Sequence, residues 1–72
     1  MGNMAILDHT GHTSISWNPA SPVEVDIARE TFNQFRKKSY LAYRTSDGKH
    51  ETVHAFDPND RSLILTPPVV GG

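Results

Sequence analysis

The 72-residue chain ends in Thr66-Pro67-Pro68-Val69-Val70-Gly71-Gly72. With Gly72 as the terminus, its carboxylate is the group most open to chemistry. Glycine has no Cβ, so two in succession are thin enough to enter a narrow enzyme channel and flexible enough to present a carboxylate to a nucleotide. Pro67 and Pro68 each fix φ and lack an amide hydrogen, so they end a strand and favour an extended polyproline segment. At roughly 3 Å of rise per residue, Pro67, Pro68, Val69, Val70, Gly71 and Gly72 would reach on the order of 18 Å from the body. The tail reads as an arm that presents its end to another protein.

The remaining reactive side chains form weaker patterns. Asp8, His9 and His12 are metal-ligand types in one short stretch, but structural zinc usually takes four ligands and the chain has no cysteine. His50 and His54 share a strand face at a spacing of about 13 Å, too far apart for one ion. No metal site is expected, and turn chemistry with solvent exposure accounts for these residues. Asp8 and Asp57 are distant in sequence, with nothing to pair them for acid-base work. Ser14 or Ser16 with a histidine lacks the nucleophile elbow of a hydrolase. The expectation is a protein that is not an enzyme and binds no cofactor.

The elements that must position the tail are legible. Ser21-Pro22-Val23-Glu24 combines an N-cap serine, a proline at the first helical position and a capping-box glutamate, so a helix starts at 22. Val25, Ala28, Phe32 and Phe35 then recur on one stripe, and the helix is expected to stop near 38. Arg36-Lys37-Lys38 complements the dipole at its C-terminal end. Before it, Met4–Leu7 and Thr13–Trp17 flank a stretch of turn formers and read as a hairpin. After it come Tyr40–Arg44 and His50–Phe56, joined through Asp47-Gly48, then a turn at 57–60 and an apolar run, Ser62–Leu65. The order is β-β-α-β-β-β.

One helix buries its stripe most simply against one sheet, which gives an α+β, β-grasp arrangement with the first and last strands parallel at its centre. The domain spans 1–66, and 67–72 form the tail. A ferredoxin-like fold would need a second helix, and a small barrel carrying one helix is the other alternative. If the helix covers Leu41 and Tyr43, alternation sends Tyr40 to the open face with Val53 or Phe56, as an aromatic docking surface.

Seven basic and eight acidic residues balance, which argues against a nucleic-acid footprint. No segment has the make-up of a signal peptide or the length of a membrane span, and the absence of cysteine fits a reducing compartment. A cytoplasmic monomer is expected.

This order of elements, closed by Leu63-Ile64-Leu65-Thr66-Pro67-Pro68-Val69-Val70-Gly71-Gly72, resembles the ubiquitin-like sulfur carriers. The likeness is to the small subunit of molybdopterin synthase, the thiamine sulfur carrier and the archaeal small modifiers. The close residue match covers about the last ten positions. The resemblance implies that a ubiquitin-activating-type enzyme, using ATP and magnesium, adenylates the Gly72 carboxylate. The acyl group then passes to sulfur, giving a thiocarboxylate, or through a thiol to a lysine amine. It implies Gly72 as acyl carrier, Gly71 as its slim neighbour, and a sulfurtransferase, isopeptidase or target protein as further partners. The other reading is a β-grasp interaction module whose Gly-Gly end is incidental.

Overall fold

A computed structural model describes residues 1–8 and 11–68. Its elements are β1 (Gly2–Asp8), β2 (Gly11–Trp17), α1 (Pro22–Lys37), β3 (Leu41–Ser46), β4 (Lys49–Val53) and β5 (Ser62–Thr66). The expected order is present. The strands form one mixed sheet in the order β2-β1-β5-β3-β4. β1 and β5 run parallel at its centre, and the other neighbours are antiparallel. A single helix with a five-stranded mixed sheet is an α+β architecture consistent with a β-grasp-like fold.

The helix ends are set by local chemistry. Ser21 Oγ accepts from the Glu24 amide at 3.3 Å, but the Glu24 carboxylate accepts from the Asn18 amide at 3.0 Å. The capping glutamate therefore secures the loop from β2 as well as the helix start. At the other end, the Tyr40 amide donates to Phe35 O at 3.1 Å and the Ser39 amide to Arg36 O at 3.0 Å. Ser39 has φ 69°, and the Phe35 and Tyr40 rings meet edge-on at 4.9 Å. Together these form a Schellman motif with its hydrophobic contact, and a serine in the left-handed position usually held by glycine. Between β3 and β4, Asp47 (φ 51°) and Gly48 (φ 76°) both take the positive φ of a two-residue type I′ hairpin turn.

The core lies between α1 and one sheet face. Met4 and Ile6 of β1, Leu63 and Leu65 of β5, Ala42 of β3 and Val53 of β4 are buried with Val25, Ala28 and Phe32 of the helix. Trp17 closes the β2 side. Its indole is fully buried, donates to Pro58 O at 2.9 Å and meets Phe56 edge-on at 5.0 Å. Gly2 sits beneath it, where a Cβ would fall 2.1 Å from the indole Cε2. The strand partner of Trp17 is Gly2 itself, so the large ring occupies the space that the missing side chain leaves.

The aromatic docking surface expected from Tyr40, Val53 and Phe56 is overturned. Ala42, not Leu41 or Tyr43, faces the helix, because its register places it between Leu65 and Val53. Val53 is only 7% exposed. Tyr40 never enters the strand, since the Schellman turn staples it to Phe35. Phe56 lies beyond the end of β4 and folds under, against Trp17 and Phe32.

Candidate functional site at the open sheet face

The register defines the face that the helix leaves uncovered. Alternation puts Ala5 and Leu7 of β1, Ile64 and Thr66 of β5, and Leu41 and Tyr43 of β3 on it. Ile64 lies beside Ala5 on one side and Tyr43 on the other, and Thr66 lies beside Leu41. These are the central strands, so the residues form one apolar strip. Ala5, Tyr43 and Ile64 are half-buried by their neighbours, whereas Leu7 and Leu41 are 37% and 40% exposed. The two leucines stand at the end of the strip where β5 finishes and Thr66-Pro67-Pro68 leaves the sheet. Flanking the strip are His12, Ser14 and Ser16 on β2 and His50 and Thr52 on β4, all exposed.

Charge marks the same face. The charged strand residues are Asp8, Arg44, Lys49 and Glu51. Each shares the parity of a residue that faces the helix: Asp8 with Met4 and Ile6, Arg44 with Ala42, and Lys49 and Glu51 with Val53. Among the described strand residues, the open face therefore carries no Asp, Glu, Lys or Arg. An apolar centre with an uncharged polar rim desolvates at low cost, and depletion of charge is the compositional mark of a protein interface core.

An ion-pair cluster braces the loop that leads into β5. Arg44 Nε donates to Asp60 Oδ1 at 2.6 Å, and Arg44 Nη1 donates to Glu51 Oε2 at 3.2 Å. The hydrogen bond and negative charge of Asp60 hold the Arg44 guanidinium above its ordinary pKa, so it stays protonated at any physiological pH. Asp60 is 9% exposed, and its Oδ2 has no hydrogen-bond partner among the described residues. Asp57 orders the same loop by accepting from the Asn59 amide at 2.9 Å. The Asn3 amide then donates to Arg61 O at 3.0 Å, which starts the β1–β5 ladder. This bracing holds the loop that delivers the chain into β5.

Of the residues singled out in the sequence, Pro67 is half-buried and Pro68 exposed at the exit of β5. Val69, Val70, Gly71 and Gly72 lie outside the described residues, as does His9. His12 and His50 sit on opposite edge strands of the sheet. Among the described residues, no group of three His, Cys, Asp or Glu side chains is placed to hold a metal ion, and no helix is long and apolar enough to cross a membrane. Sequence reasoning missed the strip of Leu7, Leu41, Tyr43 and Ile64. A signal for it does exist in the strands, where charge is confined to one parity.

Compared with protein-family models, curated proteins and solved structures, the chain matches none.

Proposed function

We propose that the chain is a ubiquitin-like carrier or modifier whose Gly72 carboxylate is activated by an ATP-dependent partner. The observation that carries this reading is the uncharged apolar strip on the open face, which runs along β5 to Thr66-Pro67-Pro68, the start of the Gly-Gly tail. A partner gripping the strip receives the tail in a defined direction. Strand order β2-β1-β5-β3-β4 with a parallel centre supports a ubiquitin-like body.

The chemistry follows from the carboxylate. It is a poor acyl donor, because its charge is delocalised and oxide is a bad leaving group. Attack of a Gly72 oxygen on the α-phosphorus of ATP expels pyrophosphate and leaves an acyl-adenylate, with magnesium neutralising the phosphates. A sulfur or thiol nucleophile then displaces AMP. The chain supplies the acyl end and the docking face, while the catalytic groups, ATP and magnesium belong to the adenylating enzyme. Sulfur delivery and conjugation to lysine share this first step. A cysteine-free chain suits the reducing cytoplasm in which such chemistry would run.

The second reading, a binding module with an incidental Gly-Gly end, draws on the same open face. Mass spectrometry of protein isolated from its own host separates the two. A thiocarboxylate at Gly72 establishes sulfur carriage, and a Gly-Gly branch on lysines of other proteins establishes conjugation. An unmodified end under all growth conditions, together with unchanged function after deletion of Gly71-Gly72, refutes the carrier and leaves the module.

A further inference from the structure

The two edges of the sheet are built differently. β4 is five residues long and carries Lys49 and Glu51, a short charged edge of the kind that resists pairing. β2 is seven residues, Gly11-His12-Thr13-Ser14-Ile15-Ser16-Trp17, with no lysine, acid or proline and, among the described residues, no strand on its outer side. By the usual logic of edge protection it is unguarded.

The hydrogen-bonding parity of that edge can be derived. The Asn3 amide donates to Arg61 O, on the β5 side of β1. Backbone groups alternate along a strand, so Met4 and Ile6 point the other way, toward β2. Their partners are Ile15 and Thr13, which therefore point back at β1. The outward N–H and C=O groups of β2 are accordingly those of His12, Ser14 and Ser16. All three residues are exposed, and their side chains project on the open face.

We infer that β2 is a self-association edge, which pairs antiparallel with β2 of a second copy of this chain about a twofold axis at Ser14. In this register Ser14 meets Ser14 of the other copy and exchanges two N–H···O bonds. His12 meets Ser16 and exchanges two, and Ser16 meets His12 and exchanges two more. Every outward group of His12, Ser14 and Ser16 is then satisfied. On the helix side Ile15 lies opposite Thr13, and Trp17 lies opposite Gly11, which brings no side chain against the ring. No charged pair arises anywhere along the seam, whereas twofold pairing of β4 about its middle residue would set Glu51 against Glu51. Self-complementarity with neutrality favours a second copy over an unrelated peptide. The product is a ten-stranded sheet in which both tail exits, on the inner strands, stay free. It replaces the expectation of a monomer and is independent of the proposed function.

One strand pair buries less than a standard interface of about 1,600 Å², so the dissociation constant should lie between ~10 μM and ~1 mM. Sedimentation velocity on the full chain across that range, with amide deuterium exchange, tests the proposal. The expected result is a monomer–dimer equilibrium in which exchange at His12, Ser14 and Ser16 slows as concentration rises, while Thr13 and Ile15 do not change. Ser14→Pro removes only an outward N–H, which an edge strand tolerates, and should weaken the dimer at least about tenfold. Should circular dichroism show that variant unfolded, Ser14→Lys sets two lysines face to face at the axis and should have the same effect with the fold retained. A monomer throughout, a dimer unaffected by the folded variant, or uniform exchange along β2 would overturn the assignment. Capture of an extended peptide without self-association would do so equally.

Discussion

Replacing Gly2 with alanine should be costly for a change of one carbon. The added Cβ would lie 2.1 Å from Trp17 Cε2, 2.2 Å from Cζ2 and 2.7 Å from Nε1, separations that no packed pair sustains. The backbone at Gly2 is not left-handed, so the conflict lies in the ring and not in φ. Relief requires the fully buried indole to move. Overpacking of this kind costs about 1–3 kcal/mol. Movement also stretches the 2.9 Å bond to Pro58 O, worth about 1 kcal/mol, and the edge contact with Phe56, worth about 0.5–1.5 kcal/mol. These losses overlap, and the lower unfolded-state entropy of alanine returns about 0.4–1 kcal/mol. The net expectation is a destabilisation of about 2–4 kcal/mol, which in a domain this size lowers Tm by about 10–25 °C. Urea and thermal unfolding followed by tryptophan fluorescence measure it directly, since the reporter is the displaced residue. A double-mutant cycle isolates the cause: on a Trp17→Phe background, which lacks Nε1 and Cζ2, Gly2→Ala should cost less than about 1 kcal/mol. A loss under about 0.5 kcal/mol in the native background, or additivity in the cycle, would refute the steric account.

Ser39→Gly should stabilise the protein by about 0.5–1 kcal/mol, because glycine takes φ 69° without the Cβ penalty; an unchanged Tm would contradict the Schellman assignment. Arg44→Met strands the 9%-exposed Asp60 without its counter-charge. Stability in urea unfolding should fall, and Arg44→Met with Asp60→Asn should recover part of the loss. Leu41→Asp, on a side chain 40% exposed, should change stability by under about 0.5 kcal/mol. If the proposed adenylating partner docks there, the same change should cut its pyrophosphate exchange by roughly 30-fold or more, as loss of an interface hot spot does; full activity would remove the open face from the proposed docking site.

Much of the scaffold was legible because its signals are local. Ser21-Pro22-Val23-Glu24 announces the helix start through backbone chemistry that needs no distant partner. Asp47-Gly48 announces its turn in the same way, since few residues tolerate two positive φ values in succession. The partner surface was misplaced for the opposite reason. In Tyr40-Leu41-Ala42-Tyr43, side-chain size argues for turning Leu41 and Tyr43 inward. A strand's parity, however, is decided by its neighbours, and Leu65 and Val53 turn Ala42 toward the helix. His54 to Phe56 looked like more strand until the loop carried Phe56 back beneath Trp17.

From its own residues, then, the chain determines one capped helix, five apolar or alternating segments, and a Pro-Pro-Val-Val-Gly-Gly end without cysteine chemistry. Each of these is a property of contiguous residues, governed by propensity, capping and periodicity. Only the tertiary structure decides that β5 enters between β1 and β3, and that the sheet's charges fall on the parity facing the helix. It also decides that Leu7 and Leu41 meet the exit of Thr66-Pro67-Pro68. Register is a long-range choice, made by the joint burial of Met4, Ile6, Leu63, Leu65 and Ala42 beneath Phe32. A shift of one residue in any strand would turn its apolar side chains to solvent, so the packed core is what selects both the open face and the point from which the tail departs.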